Sequence, residues 1–144
     1  MKYINANNID KNKLLSLLNN NICFVGIFNK FCIHCKMMQP EFNKFKNKNK
    51  NINANYIVIE LDSSVLEPLA IDILSKNVNG FPSLLLINKG KFIKEYNNNR
   101  TYNGIHKFLI NYIKTTKTTK TIKTTNYKQV TRQKKTKKRK IKTI

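Results

Sequence analysis

The sequence predicts an α/β domain, a central mixed sheet flanked by helices, followed by a basic C-terminal extension. Three observations carry this. Ile22–Phe28 and residues 56–62 are near-continuous apolar runs, as expected of central strands covered on both faces. Around them, apolar residues recur at helical spacing instead of alternating. Beyond residue 83, two more apolar runs, 83–87 and 92–96, are separated by Asn88-Lys89-Gly90-Lys91. Gly90 can take positive φ, so this pair reads as an antiparallel hairpin.

Residues 1–5 form a short edge strand in this reading. Residues 9–18 carry Leu14, Leu15, Leu17 and Leu18 on a helical stripe, with Asn8 or Asp10 as N-cap. A second helix is predicted from His34 to about Lys48, with Met37, Met38, Phe42 and Phe45 on one side. Pro40 lies inside it, removes a backbone donor and should kink it. Residues 65–74 read as a third helix, with Pro68 near its start. Residues 105–113 carry Phe108, Leu109, Tyr112 and Ile113 and close the domain as an amphipathic helix. The predicted order is β-α-β-α-β-α-β-β-α, without an internal repeat.

A chain of 144 residues suits one domain of roughly a hundred residues plus an appendage. The net charge of +21 is unevenly spread. Residues 114–144 hold thirteen Lys and Arg and no Asp or Glu, while the first 113 residues are only mildly basic. The expected boundary therefore falls between 113 and 114, with a Lys/Thr-rich disordered tail beyond it. Lys134-Lys135-Thr136-Lys137-Lys138-Arg139-Lys140 suits nucleic acid or another polyanion, an anionic surface or a nuclear address. The tail's only aromatic residue is Tyr127, which gives little for base stacking.

Three cysteines are too few for a disulfide scaffold. The first eight residues lack the apolar core of a signal peptide, and no apolar run approaches a membrane span. The expectation is a soluble monomer of a reducing compartment, cytoplasmic or nuclear. Abundant Asn, Lys and Ile point to an AT-rich genome, such as that of a large DNA virus or a protist. A virus would allow packaging in the virion.

Chemistry concentrates in Phe31-Cys32-Ile33-His34-Cys35-Lys36, between a predicted strand and a predicted helix. Two cysteines spaced by two residues at such a junction suit thiol–disulfide exchange. The first sulfur would sit at a helix N-terminus, where unpaired N–H groups and the macrodipole favour an anion. The second would lie one turn on, within reach of a disulfide. Structural zinc would need four ligands, and Cys23, His34 and His106 are not at ligand spacing. Neither a metal nor a cofactor is expected. Cys23 reads as a small core hydrophobe.

With these elements in place, residues 1–113 resemble the thioredoxin superfamily, and most nearly its protein disulfide isomerase domains. Cys32-Ile33-His34-Cys35-Lys36 followed by Pro40-Glu41-Phe42 resembles their C-G-H-C-K, proline, acid pattern. Gly80-Phe81-Pro82-Ser83 resembles the family's Gly-X-Pro-Thr, whose proline is cis. Tyr96-Asn97-Asn98-Asn99-Arg100 keeps the tyrosine and arginine of a Tyr-X-Gly-X-Arg stretch. The resemblance implies a thioredoxin-like fold and dithiol–disulfide exchange with protein thiols and disulfides. Cys32 would attack and Cys35 would resolve. His34 and Arg100 would tune the thiols, His34 favouring the reduced form. Phe31, Phe81 and Pro82 would line the substrate groove.

Three departures matter, the first being Phe31 where the family usually has tryptophan. Ile33 replaces the glycine between the cysteines. Gly26 stands where the family keeps a buried carboxylate that accepts the resolving cysteine's proton. The lysine that partners this carboxylate falls on Val58 or on Glu60. At Glu60, a carboxylate would replace the missing one from the opposite strand. At Val58, the relay would be absent and turnover should suffer. The rival reading is a polyanion-binding protein whose task is set by its tail, with vestigial redox chemistry.

Overall fold

The computed structural model describes residues 1–119. Five strands form its sheet: β1 (Lys2–Asn5), β2 (Ile22–Phe28), β3 (Ile57–Asp62), β4 (Ser83–Asn88) and β5 (Lys91–Glu95). Their order is β1-β3-β2-β4-β5. β3 pairs in parallel with β1 and β2, whereas β4 runs antiparallel to both β2 and β5. β2 is thus the central strand, which explains its apolar run. Two long helices accompany the sheet, α1 (Lys11–Asn20) and α2 (Ile33–Asn49). Asp10 caps α1, its carboxylate accepting the Lys13 N–H at 3.1 Å.

Alternation along β2 divides the core. Cys23, Val25 and Ile27 join Leu14 and Leu18 of α1 and Ile57, Ile59 and Leu61 of β3 in one apolar cluster. Phe24, Gly26 and Phe28 point the other way, toward α2. There Phe24 meets Phe45 edge-on, with ring centroids 6.0 Å apart, and Phe28 meets Phe42 at 5.0 Å. At Gly26 a Cβ would stand 2.9 Å from Phe42 Cζ and 2.9 Å from Phe28 Cε2. The two rings fill the space that a side chain would need.

Residues 65–74 do not form the single helix expected from the sequence. The chain makes a 3₁₀ turn (Ser63–Val65), then α3 (Leu66–Leu69), then α4 (Asp72–Ser75). Ala70 breaks the run with a left-handed φ of 45°, and its N–H closes α3 on the carbonyls of Leu66 and Glu67. Beyond the break, Ile71 and Leu74 are both buried. Pro68 is accommodated because it lies in the first turn of α3, where its missing N–H has no helical acceptor.

At the β4–β5 turn, Lys89 and Gly90 both have positive φ, 48° and 77°. The Lys89 N–H donates to Asn21 O at 2.9 Å and the Gly90 N–H to Leu18 O at 2.8 Å, so the turn is tied to the end of α1. A Cβ on Gly90 would lie 2.6 Å from Asn19 Oδ1.

The chain divides into two units, Met1–His106 and Lys107–Ile144. Residues 102–106 of the first are helical, as are residues 107–119 of the second. Helical structure thus runs beyond residue 113. The hydroxyls of Thr115, Thr118 and Thr119 donate to carbonyls four residues back, which suits threonine to a helical backbone there. The rest of the basic tail, with its polyanion reading, lies outside the described residues. No helix among the described residues is long and apolar enough to cross a membrane.

Burial raises the Cys23 thiol from its ordinary 9.0 to about 12. An unfolded chain would ionise this thiol from pH 9 upward while the folded protein keeps it protonated. The unfolded state then binds fewer protons, so stability falls as pH rises from 9 toward 12. The slope from this one group is about 1.4 kcal/mol per pH unit. Urea unfolding of the reduced protein at about pH 8 and about pH 10.5 should show the loss, and Cys23→Val should lessen it. An unchanged pH dependence in that variant would contradict the assignment.

Candidate active site

The site forms where β2 ends and α2 begins. Asn29 organises the turn. Its side-chain carbonyl accepts the Phe31 N–H at 2.8 Å, and its Nδ2 donates to Ser63 Oγ at 2.9 Å. Its own N–H donates to Cys35 Sγ at 3.4 Å. Sequence reasoning missed Asn29, although an Asx residue directly after a strand is itself a turn signal.

Cys32 is the N-cap of α2, with φ −85° and ψ 122°, and its Sγ accepts the Cys35 N–H at 3.4 Å. Across the site its thiol reaches the Phe81 carbonyl at 3.5 Å, in the loop before β4 where the Phe81–Pro82 peptide is cis. Cys32 is half-buried and Cys35 buried, and both are free thiols.

Their environments push the two thiols apart. The Cys32 thiol is lowered, chiefly by a hydrogen bond from the Cys35 side chain. Its desolvation opposes this, and the backbone N–H groups of Cys35 and His34 and the Arg100 charge add to it. Burial first, then the neighbouring Cys32, pushes Cys35 up to about 11 against the Asn29 N–H, which lowers it. His34 therefore reaches Cys32 through its backbone amide, while its side chain lines a cleft with Met37 and Arg100.

Two clefts involve residues of α2, and one of them reaches Cys35. One, of about 220 Å³, is lined by Cys35, Asn29, Lys36, Gln39 and Glu60 among others. Glu60 pairs with Gly26 across β2 and β3, whereas Val58 pairs with Phe24 and is fully buried. Of the two, Glu60 is therefore the one that stands beside Gly26. Its Oε2 accepts from Lys46 Nζ at 2.5 Å and from the Tyr3 hydroxyl at 2.8 Å, and its Oε1 from Gln39 Nε2 at 3.2 Å. Burial, then Glu60, raises Tyr3 to about 12. Glu60 on β3 thus pairs with Lys46 on α2.

The other cleft, of about 240 Å³, is lined by His34, Met37, Met38, Asn99, Arg100 and Thr101. Asn99 shapes it by accepting the Thr101 N–H on its side chain at 3.0 Å and the Tyr96 hydroxyl on its carbonyl. Phe31, Ile33 and Met37 stand in solvent at 82%, 63% and 70% exposure. Pro82 is buried and Phe81 half-buried. His106 stacks on Tyr102 with ring centroids 5.6 Å apart. Among the described residues, no three His, Cys, Asp or Glu side chains converge to hold a metal.

This fold and its paired thiols have counterparts. The thioredoxin family model matches residues 5–111, and the chain belongs to the thioredoxin family. It is 26% identical over 93 residues to protein disulfide-isomerase 1 of Dictyostelium discoideum, covering 64% of this chain and 25% of that protein. Over 88 residues it is 31% identical to protein disulfide-isomerase of Gallus gallus, covering 60% of this chain and 16% of that one. The chain thus spans a quarter or less of these relatives' length. Its fold superimposes on the J-Trx1 fragment of ERdj5 with a TM-score of 0.63 at 18% identity, covering 78% of this chain and 52% of the other. Within the family its kinship runs toward the disulfide isomerases.

Proposed function

We propose that the chain exchanges a Cys32–Cys35 dithiol with disulfides of protein substrates. The observation that carries this reading is the opposite displacement of two thiols at one helix terminus. Cys32 is lowered and partly accessible, while Cys35 is raised to about 11 and buried. The first is suited to attack, and the second to wait as a protonated thiol.

The Cys32 thiolate attacks one substrate sulfur. The substrate S–S bond breaks, and the other sulfur leaves as a thiolate that takes up a proton. Cys35 then loses its proton and attacks Cys32 Sγ. The mixed disulfide breaks, the second substrate thiol departs, and the enzyme is oxidised by two electrons. Run backwards, the same steps oxidise a substrate dithiol. A thiol at about 11 needs a base to ionise near neutral pH. Glu60 shares the Cys35 cleft and takes that proton through solvent in this reading, with Lys46 and Gln39 fixing its position. Phe81 offers its backbone to an extended substrate segment beside Cys32.

Because the Cys32 thiol is lowered, its attack rate rises with pH and levels off below the ordinary thiol value of 9.0. Alkylation of the reduced protein at about pH 6 should modify Cys32 first. Equal labelling of Cys32 and Cys35, or faster labelling of Cys23, would overturn the assignment. Glu60→Gln should lengthen the life of the mixed disulfide and move the pH dependence of its resolution upward, with the first attack unaltered. Lys46→Met keeps the carboxylate but loosens its position, and should slow resolution less than Glu60→Gln does. If Glu60→Gln resolves as fast as the parent at every pH, Glu60 is not the base.

A further inference from the structure

Phe31, Ile33 and Met37 are three of the five large apolar side chains exposed among the described residues. They surround Cys32 on the loop and first turns of α2. A patch so placed will be covered by whatever brings a sulfur to Cys32. Cations stand on both sides of it, joined on the Cys35 side by Glu60 and Asp62. Lys30 Nζ lies over the Phe31 ring, 5.1 Å from its centroid, and lines the Cys35-side cleft with Lys36. Arg100 lines the opposite cleft beside Met37 and Met38.

These cations are not neutralised by ion pairs. Glu60 pairs with Lys46 and Asp72 with Lys76, and neither carboxylate is shared with Lys30, Lys36 or Arg100. On the Cys35 side, Glu60 is occupied by Lys46, and Asp62 caps the following turn through the Ser64 N–H at 2.9 Å. No carboxylate lines the Arg100 cleft. That cleft, of about 240 Å³, sets two methionines and one arginine beside His34, Asn99 and Thr101.

We propose that the site selects acidic cysteine segments, in which an apolar residue adjoins the reactive cysteine and a glutamate or aspartate lies within about two residues of it. The apolar residue covers Phe31 and Ile33. The methylene stem of the acid rests on Met37 and Met38, and its carboxylate accepts from Arg100 in the two-pronged manner of that pair. This selection rests on the exchange reading above and adds the substrate class to it. The net charge of +21 draws any anion, so position must be separated from total charge.

The full-length reduced protein is mixed with three disulfide-linked peptides carrying a quencher, and the second-order rate of each is recorded at low and high salt. One peptide has glutamates next to cysteine. Its isomer has the same composition with the glutamates remote. In the third, glutamine replaces them. The adjacent isomer should react about tenfold faster than the remote one at low salt, with the gap narrowing in high salt. Arg100→Gln should bring the adjacent-to-remote ratio close to one, and Arg100→Lys should keep part of it. Arg100→Glu should favour an isomer with lysines next to cysteine. Equal rates for the adjacent and remote isomers would overturn the proposal and leave exchange standing. No reaction with any peptide would overturn exchange, and this selection with it.

Discussion

Cys32→Ser is expected to abolish disulfide exchange, and Cys35→Ser to stall it halfway. Serine at 32 retains an N-cap oxygen, so α2 should still form. It supplies no thiolate, so no substrate sulfur is ever captured. Serine at 35 leaves the Cys32 attack in place but removes the sulfur that would release the product, so mixed disulfides should accumulate. Non-reducing electrophoresis after mixing with a disulfide-bonded protein distinguishes the two. A ladder with Cys32→Ser and none with Cys35→Ser would reverse the roles. Turbidity from insulin reduction, driven by dithiothreitol, should fall to background in both variants.

The second large effect is expected at Phe42. It is fully buried, lies against Phe28 and Phe45, and stands over the backbone at Gly26. Phe42→Ala should cost about 3–5 kcal/mol through lost burial and the cavity left behind. Gly26→Ala should also destabilise, by about 1–3 kcal/mol, because its methyl would meet the two rings at 2.9 Å. Combined, the two should couple. With the Phe42 ring gone, the methyl at 26 has space and should recover part of the loss, so the double variant should be more stable than the sum predicts. Additive costs in urea unfolding would mean that the rings shift aside freely. A carboxylate at 26 would face the same crowding and would be desolvated among aromatic rings.

Much of this arrangement was legible in the residues. β2 is continuous in apolar residues because it is central, so both its ends were readable. The Cys32–Cys35 spacing is local, and so is the helix terminus that holds it. What was not legible depends on contacts between distant segments. The leucines at 66, 69 and 74 keep helical spacing across a broken backbone, and Ala70 gives no sign of the left-handed turn that glycine or asparagine would give. Whether Val58 or Glu60 faces Gly26 is a matter of register between parallel strands joined by a long crossover. Lys46 reads as one surface lysine among many until α2 lies over β3. Arg100 was singled out through a matched tyrosine, but its cleft with Met37 and Met38 was not visible.

The ties between the β4–β5 turn and α1 bear on the order in which the chain can be completed during synthesis. β1, α1, β2, α2 and β3 emerge first, and their parallel pairings can form among themselves. The carbonyls of Leu18 and Asn21 then still lack their partners, and one whole edge of β2 stands open. Both are closed only when residues 83–90 have left the ribosome. Until then the nascent half presents a bare strand edge beside a reactive dithiol, a state that invites pairing with other chains. Ribosome-stalled chains ending before residue 83 should therefore remain protease-sensitive, and those with residue 95 well clear of the exit tunnel should resist.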